Sequence, residues 1–392
     1  MSIKMIRSVV VLGLFWAYVL GNDARGLESL KPLADGEQPC MCQLDNGDLV
    51  LAYSRQMHPD WRLYYKISTD RGQTWSTEIR AASGNYQVEP ALLQDSSSRL
   101  WLLWASNVRS QNDTDNIEYM TSMDYGRTWT THGILITPET VTQKPNLVEI
   151  GGEIGVYWGP DGHWATTADA GATWSDVGQL VKTAFNQMIY KAQDNQLWVV
   201  AWNGTGIRVW KSKDSYTWSQ PIKIAENGSA IAPAVLPEMG QDRYGNFVVV
   251  WNSQHHDPNN SDIWYSTSFD NGLSWQPPQR LMQDSGQDKN PGVALIDGSL
   301  WVVWNSDRTG YDRVYAFELG PNPWDFNADG WVDLADYAIF SQQWGLDCEA
   351  GEVCTRADFD KSGRVDVADL GIFADHWLKK TPWAVPEPWP LP

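Results

Sequence analysis

The sequence is short of positive charge and, beyond its first residues, of long apolar runs. It carries 29 Lys and Arg against 48 Asp and Glu, which gives a formal net charge of −19. That excess argues against anionic partners, so we expect neither nucleic acid nor an anionic membrane surface to bind it. After residue 21 no stretch approaches the length that crosses a bilayer. Over residues 27–320 a helical pattern is missing as well, because turn residues interrupt the apolar segments too often.

The apolar run at the N-terminus, residues 9–20, follows Lys4 and Arg7 and ends at small residues. This order is typical of a secretory signal peptide over residues 1–21, and the run is too short to span a bilayer comfortably. We therefore expect an exported protein, secreted or associated with the cell surface.

Cysteine is scarce, with four residues in the chain. Cys348 and Cys354 flank a short acidic loop that a disulfide could close in an oxidising compartment. Cys40 and Cys42 stand two apart, so on a strand they face the same side and cannot easily bond each other. The sequence leaves the redox state of this second pair open.

Tryptophan is abundant, with 24 residues, and five of them end copies of one phrase, S/T-x-D-x-G-x-T/S-W. The copies occupy residues 68–75, 122–129, 167–174, 212–218 and 268–275, and the fourth is shortened. In such a phrase Asp can accept bonds from turn amides, Gly can take a positive φ, and Trp can fill the space beneath. The phrase resembles the Asp-box, or bacterial neuraminidase repeat, of the sialidase-like β-propellers.

Each Asp-box ends a unit of about 30–45 residues with a shared order of signals. A Pro-containing start leads into an apolar strand, a turn, a Trp-rich strand, a third strand and then the box. Six such units begin near residues 39, 90, 145, 186, 233 and 291, and the last has no box. We therefore predict an all-β fold, a sialidase-like six-bladed β-propeller over residues 22–320. Residues 27–36 are predicted to add an outer strand that closes the ring.

A different pattern follows residue 321. Two 12-residue segments, 325–336 and 358–369, place oxygen donors at positions 1, 3, 5, 9 and 12, with Gly at position 6 and a backbone carbonyl for position 7. This is the spacing of a calcium loop. The predicted ligands are Asp325, Asn327, Asp329, Trp331, Asp333 and Asp336 in the first loop, and Asp358, Asp360, Ser362, Arg364, Asp366 and Asp369 in the second. We expect two Ca²⁺ ions, which would offset the repulsion among the clustered carboxylates.

Both loops have Asp rather than Glu at position 12 and each runs into one helix. In this they resemble a type I dockerin over residues 321–380. The resemblance implies a small α-helical module that docks onto a cohesin-type module of a scaffold or cell-surface protein. It also implies that Leu334 and Val367, at the head of each helix, contribute to the docking face.

The candidate site of the propeller lies at the end of its axis opposite the Asp-boxes. The inner strands begin there and meet the loops between second and third strands, which gives a polar lining suited to a hydroxylated, possibly anionic ligand. The resemblance to sialidases aligns Arg55 and Asp60 with an Arg and a catalytic Asp at the same spacing. We predict Asp60 and Glu89 as a catalytic carboxylate pair. The predicted substrate-binding residues are Arg55, Lys144, His255, Asp307 and Arg308.

Three departures from the sialidase pattern weigh against release of sialic acid. The family opens its first blade with Arg-Ile-Pro, where this chain has Glu37-Gln38-Pro39. Later carboxylate-binding Arg residues are replaced by Asn at 203, 252 and 305, and the Tyr nucleophile is replaced within Lys289-Asn290-Pro291. Without the Arg cluster, a sialic carboxylate loses charge-assisted bonds of about 1.5–3 kcal/mol each.

These patterns predict an exported glycoside hydrolase of the sialidase superfamily that acts on extracellular glycans or polysaccharides and is tethered by its dockerin-like module. The alternatives are an exo-α-sialidase proper, a lyase on a uronic polymer, a non-catalytic glycan-binding propeller and a propeller that binds another protein. A solvated loop position is also the plain interpretation of Arg55, Asp60 and His255. A Pro- and Trp-rich tail, residues 381–392, follows the module and has no readable purpose.

Overall fold

The computed structural model describes residues 30–84, 86–106, 116–130, 133–136, 144–159, 162–175, 178–179, 185–215, 217–226, 237–243, 245–257, 259–268, 270–282, 285–319, 324, 326, 332–347, 357–359 and 362–378. The predicted signal peptide, the Cys348–Cys354 pair and the tail lie outside these residues. Within the described part, no helix is long and apolar enough to cross a membrane.

In the part of the propeller that the structure describes, there are 24 short strands. In chain order they are β1 (Ala34–Asp35), β2 (Glu37–Gln43), β3 (Leu49–Met57), β4 (Asp60–Ser68), β5 (Ile79–Arg80), β6 (Gln87–Gln94), β7 (Leu100–Ser106), β8 (Asn116–Ser122), β9 (Gly133–Ile136), β10 (Asn146–Ile150), β11 (Glu153–Trp158) and β12 (His163–Thr167). The remainder are β13 (Gly178–Gln179), β14 (Phe185–Lys191), β15 (Leu197–Trp202), β16 (Gly206–Ser212), β17 (Ile222–Glu226), β18 (Glu238–Gln241), β19 (Phe247–Asp257), β20 (Asn260–Ser268), β21 (Gln279–Arg280), β22 (Asp288–Ile296), β23 (Ser299–Ser306) and β24 (Arg313–Glu318).

These strands form six four-stranded antiparallel sheets, one for each repeat unit. Five sheets use consecutive strands, whereas the sixth has the order β1-β24-β23-β22. Its outer strand comes from the beginning of the propeller, with Ala34 opposite Val314 and Asp35 opposite Arg313. The six-bladed propeller and the closing outer strand are therefore confirmed.

The hydrophobic core lies between neighbouring blades. Each second strand is almost continuously apolar because both of its faces are covered by neighbouring blades. Large rings fill the space: Trp101, Trp104, Trp158, Trp198, Trp251 and Trp304 are all less than 2 % exposed. Most of the tryptophan content is thus explained by packing between blades.

Each Asp-box folds as a self-contained turn, as its second copy illustrates. The Asp124 carboxylate accepts from the Thr128 amide at 2.7 Å and from the Thr128 hydroxyl at 2.5 Å. Gly126 takes φ 80°, which few residues with a side chain adopt. Trp129 donates from Nε1 to the Tyr65 hydroxyl of the preceding blade at 3.0 Å. The box thereby joins its own turn to the neighbouring blade.

Two helices, α1 (Leu334–Ser341) and α2 (Val367–Ala374), follow the propeller. Each begins at an Asp N-cap, Asp333 or Asp366, whose side chain accepts from an amide of the first turn. A separate small core holds them together and is formed by Phe326, Val332, Phe340, Ala357, Val365 and Phe373.

Candidate functional site

The two ends of the propeller axis carry different parts of each blade. One end, here named the Asp-box face, holds the Asp-boxes and the turns between first and second strands. Arg127 of the second box donates from Nη2 to Asp48, in such a turn of the first blade, at 3.0 Å. The opposite end, here named the mouth face, carries the starts of the inner strands β2, β6, β10, β14, β18 and β22.

A repeated backbone device places polar side chains at the mouth face. Gln38, Glu89, Lys144 and Asn290 each precede a Pro at the start of an inner strand and have φ of 53°, 55°, 45° and 51°. Positive φ is uncommon for residues with a side chain. The strand register shifts beside Gln38, Glu89 and Asn290, as in a β-bulge, a device that redirects side chains. Equivalent positions of four blades are therefore brought around one axis.

Hydrogen bonds link these positions from blade to blade. The Glu89 amide donates to Oε1 of Gln38 at 3.2 Å, and the Lys144 amide donates to Oε2 of Glu89. The Lys144 ammonium lies 2.7 Å from Oε1 of Glu238, in the fifth blade. A polar chain thus runs from the first blade through the second and third to the fifth.

Asn305 continues this chain into the sixth blade. It is fully buried, and its Oδ1 accepts from Asn290 Nδ2 at 2.9 Å and from the Gln38 amide at 3.3 Å. Its Nδ2 donates to Asp312 at 2.7 Å. The buried amide of Asn305 therefore ties the first blade to the last at the mouth.

A central cavity of about 170 Å³ opens inside this polar chain. All six inner strands line it, with Glu89, Lys144 and Glu238 as its charged residues in the described part of the chain. A second cavity, of about 680 Å³, lies towards the Asp-box face and contains Glu149, whose carboxylate accepts from the Ser96 amide at 2.9 Å. Both cavities lie on the propeller axis.

Burial changes the acidity of two carboxyls at the mouth face. It raises the pKa of Glu89, although the amide and the charge of Lys144 oppose the shift. Burial, followed by the nearby charge of Asp312, raises the pKa of Glu37 to about 7, and Lys289 opposes this. A carboxyl in such surroundings can hold a proton near neutral pH and donate it.

The structure brings two of the predicted propeller residues together. Glu89 and Lys144 both line the central cavity and are joined by a hydrogen bond. Glu238, which lines the cavity, and Glu37, next to the lining residue Gln38, were not predicted as site residues. Glu37 stands where the sialidase pattern has Arg. An acid in place of a cation was the sequence feature that could have marked Glu37 as a site residue. Glu238 gave no such signal, because it follows a Pro instead of preceding one.

Arg55 lies away from the cavity, at the seam between the first and last blades. Its Nη1 and Nη2 donate to Glu78 at 2.8 and 2.6 Å, and its Nε donates to the Asp35 carbonyl at 2.8 Å. The guanidinium also lies 4.9 Å from the ring centre of Tyr64. In this position Arg55 fastens the closing strand β1 to the first blade.

Arg308 and Asp307 also serve the sixth blade. Arg308 Nη2 lies 2.9 Å from Oδ1 of Asp288, a fully buried carboxylate, and the guanidinium stacks 4.6 Å from the ring centre of Tyr315. Asp307 accepts from the Gln287 amide at 2.7 Å. Neither residue belongs to the cavity lining in the described part of the chain.

Asp60 begins β4, directly after the turn from β3, and its Oδ2 lies 4.0 Å from Nη2 of Arg62. It does not line the central cavity, so the structure does not bring it together with Glu89. His255 lies in β19, and its side chain is outside the described part of the structure. The roles predicted for Asp60 and His255 stay predictions.

The second predicted calcium loop is partly described. Asp358 accepts from the Ser362 amide at 3.0 Å and from the Gly363 amide at 2.9 Å. The fully buried Asp369 accepts from the Phe359 amide at 2.6 Å and from the Asp366 amide at 2.8 Å. These bonds fold the chain around inward-facing carboxylates, and the oxygen donor set suits Ca²⁺.

In the first predicted loop, Asp333 and Asp336 are described and cap α1 in the same way. Asp325, Asn327, Asp329, Trp331 and Asp360 lie outside the described residues. Arg364 is described and its carbonyl accepts from the Ser362 hydroxyl at 3.1 Å. Among the residues that the structure describes, no three His, Cys, Asp or Glu side chains are grouped closely enough to hold a metal ion.

The chain is similar to known proteins over its propeller. A BNR repeat-like domain matches residues 36–150. No curated protein matches the sequence. A Hadza microbial sialidase superposes with a TM-score of 0.57 at 14% identity, over 73% of this chain and 66% of that one.

Two further solved structures give similar superpositions. A protein of unknown function from Dyadobacter fermentans has a TM-score of 0.57 at 15% identity, over 73% of this chain and 95% of that one. The NanB sialidase from Streptococcus pneumoniae has a TM-score of 0.55 at 12% identity, over 75% and 70% of the two chains. Residues 36–150 therefore match a BNR repeat-like domain, and the described chain has a six-bladed β-propeller fold similar to that of these sialidases.

Proposed function

We propose that this protein binds an extracellular glycan at the central cavity of the mouth face and hydrolyses it as a glycoside hydrolase. The observation that carries the proposal is the cavity lined by all six blades, with Glu89, Lys144 and Glu238 inside it. For scale, an apolar protein cavity of about 150 Å³ holds one benzene molecule. The central cavity, at about 170 Å³, suits the terminal sugar of a chain.

The chemistry of the cavity suits acid-assisted cleavage of a glycosidic bond. Glu89, whose pKa is raised by burial, would protonate the leaving oxygen while water adds to the sugar carbon. A second carboxylate would deprotonate that water or stabilise the positive charge on the sugar. Glu238 lines the cavity beside Lys144, which supports it for this second role, whereas Asp60 would have to reach the cavity from the β3–β4 turn.

A non-catalytic glycan-binding propeller is the second candidate. It is favoured by the hydrogen bonds that Gln38, Glu89 and Lys144 make to one another, since residues engaged in this way also have a structural role. An exo-α-sialidase is less favoured because no Arg lines the cavity in the described part of the chain.

Turnover separates these candidates. The purified protein would be incubated with sialosides, pectins and other plant or algal polysaccharides, and released sugars would be measured by chromatography. Glu89→Gln is expected to abolish release while glycan binding persists, and Asp60→Asn tests the carboxylate outside the cavity. Glu149→Gln, at the other end of the axis, is the matched control. Binding with no release from any substrate would favour the lectin, and no binding at all would refute the proposal.

We further propose that the residues after the propeller form a calcium-dependent, dockerin-like tether to a cohesin-type module, and that residues 1–21 direct export. The two loops repeat the same ligand pattern, and the described part of the second folds around Asp358 and Asp369. The exposed side chains of Leu334 and Val367, 71% and 72% accessible at the head of each helix, offer equivalent apolar contacts to a partner. When bound, Ca²⁺ would neutralise the inward-facing carboxylates.

Calorimetry of the full chain tests this tether. Addition of Ca²⁺ after chelation is expected to raise the melting temperature of one transition and leave that of the propeller unchanged. Asp358→Asn together with Asp369→Asn should remove the response, with Asp375→Asn, an exposed position at the end of α2, as a control outside the loops. A melt that is identical with chelator and with Ca²⁺ would refute the tether.

A further inference from the structure

We propose that the mouth-face cavity accepts neutral sugars or amino sugars and rejects sugars that carry a carboxylate, the uronic and sialic acids. This selectivity presupposes the proposed glycan function and specifies the substrate class of the same cavity.

Negative charge exceeds positive charge around the mouth. Among the described residues, the acids of the cavity and its adjoining rim are Glu37, Glu89, Glu238 and Asp312, against the cations Lys144 and Lys289. Above the pKa of Glu37, the carboxylates of Glu37, Glu238 and Asp312 outnumber the two cations even when Glu89 holds its proton. Asp312 and Lys289 act on Glu37 from the sixth blade, and beside them Asp35 and Arg313 form an ion pair at 3.2 Å that adds no net charge. An incoming carboxylate would therefore approach groups of its own sign.

The two ammonium groups are already opposed by carboxylates. Lys144 Nζ lies 2.7 Å from Glu238, and the two side chains are 22% and 12% exposed. Lys289 acts on Glu37, whose pKa it lowers against the effect of burial. A bound sugar acid would have to compete with these carboxylates for each cation.

The arginines near the mouth are engaged in the same way. Arg55 is held by Glu78, Arg308 by the buried Asp288 and Arg313 by Asp35. Bidentate recognition of a carboxylate needs a guanidinium with two unengaged donors. Arg55 and Arg308 donate within the protein instead, and the Arg313 guanidinium, paired with Asp35, lies 4.2 Å from the ring centre of Tyr311.

The remaining polar groups suit hydroxyl and ammonium donors. Carboxylate and amide oxygens accept hydrogen bonds, and Glu89, Glu238, Gln38 and Asn290 supply such oxygens beside the cavity. Sugar hydroxyls and the ammonium of an amino sugar donate to them. The chemistry of the lining therefore agrees with the sign of its charge.

Titration calorimetry with matched oligosaccharides tests the selectivity. Galactose, galactosamine and galacturonic acid oligomers of equal length, with the glucose series beside them, differ mainly at one substituent. At pH 8 the full-length protein is expected to bind the uronic member about tenfold or more weakly than the neutral one. Added salt should narrow that ratio.

Glu37→Gln is the decisive variant. At pH 8 it should lower the ratio of neutral to uronic affinity by about threefold or more. Glu149→Gln, which removes one charge at the other end of the axis, should leave that ratio unchanged. Lowering the pH to 5.5 protonates Glu37 but not a uronic acid, so discrimination should narrow in the parent protein and less in Glu37→Gln.

The outcomes distinguish the two proposals. Uronic oligomers that bind as tightly as neutral ones would overturn the selectivity while the glycan site stands. If no neutral, amino or uronic sugar binds, the glycan site and the selectivity both fall.

Discussion

The two faces of the propeller use carboxyl groups in opposite ways. On the Asp-box face, hydrogen bonds from Thr128 and Thr173 lower the pKa of Asp124 and Asp169 to about 2. On the mouth face, burial raises the pKa of Glu89, and burial together with Asp312 raises that of Glu37 to about 7. A carboxylate that its own turn satisfies is structural, whereas a desolvated one is available for proton transfer or a ligand.

The largest effect is expected at Arg308, a charged residue on the mouth side whose contacts indicate a structural role. Arg308→Ala leaves the buried Asp288 carboxylate without its cation, so we expect the free energy of unfolding to fall by about 3–5 kcal/mol. Chemical denaturation measures this change. Lys223→Ala, in an exposed pair with Glu226, is the control and should cost less than about 1 kcal/mol. A stable Arg308→Ala protein with weakened glycan binding would instead return Arg308 to the site.

An intermediate effect is expected at Glu37. Its folded pKa lies above the ordinary value of 4.5, so its contribution to stability is present below pH 4.5 and is lost as pH rises through about 7. Between pH 4.5 and 8, the free energy of unfolding of Glu37→Gln should therefore rise relative to that of the parent protein. The rise is expected to be about 1–2 kcal/mol after screening by solvent. Thermal melts at a series of pH values measure the gain. A difference that does not vary with pH would contradict the shift.

The smallest effect should come from one Asp-box. The folded pKa of Asp124 lies below its ordinary value of 3.8, so its contribution is present above about pH 4 and is lost as pH falls to about 2. Asp124→Asn should cost about 1 kcal/mol at neutral pH and nothing near pH 2. Melts of the two proteins from pH 6 to 2 should therefore converge. Curves that stay parallel would show that the charge of Asp124 contributes nothing.

The same contrast explains what the sequence could predict. Hydrogen bonds in the Asp-boxes join residues four positions apart, such as the Thr128 amide and the Asp124 carboxylate. The structure of each box can therefore be predicted from its own residues. At the mouth, the Glu89 amide and Gln38 are 51 positions apart, and the Gln38 amide and Asn305 are 267 apart. The blade count and the closing strand follow from local patterns. The partners of each charge depend on how the ring closes.

Arg55 and Glu37 show why the charged groups of the site could not be predicted fully from the sequence. The spacing of Arg55 and Asp60 agrees with a catalytic pattern, yet in the fold Arg55 is held by Glu78 of its own blade and by the Asp35 carbonyl of the closing strand. In the sequence Glu37 is only a departure from the sialidase pattern. In the fold it lies near the charge of Asp312, 275 positions away, which raises its pKa. Both outcomes were decided at the seam between the first and last blades.

A crystal structure of the protein with the tightest-binding oligosaccharide tests the central claim most directly. We predict sugar density in the mouth-face cavity, with hydroxyl groups within hydrogen-bond distance of Glu89 and Glu238. Density confined to the Asp-box face or to the outer surface of the blades would contradict the assignment of function to the mouth face.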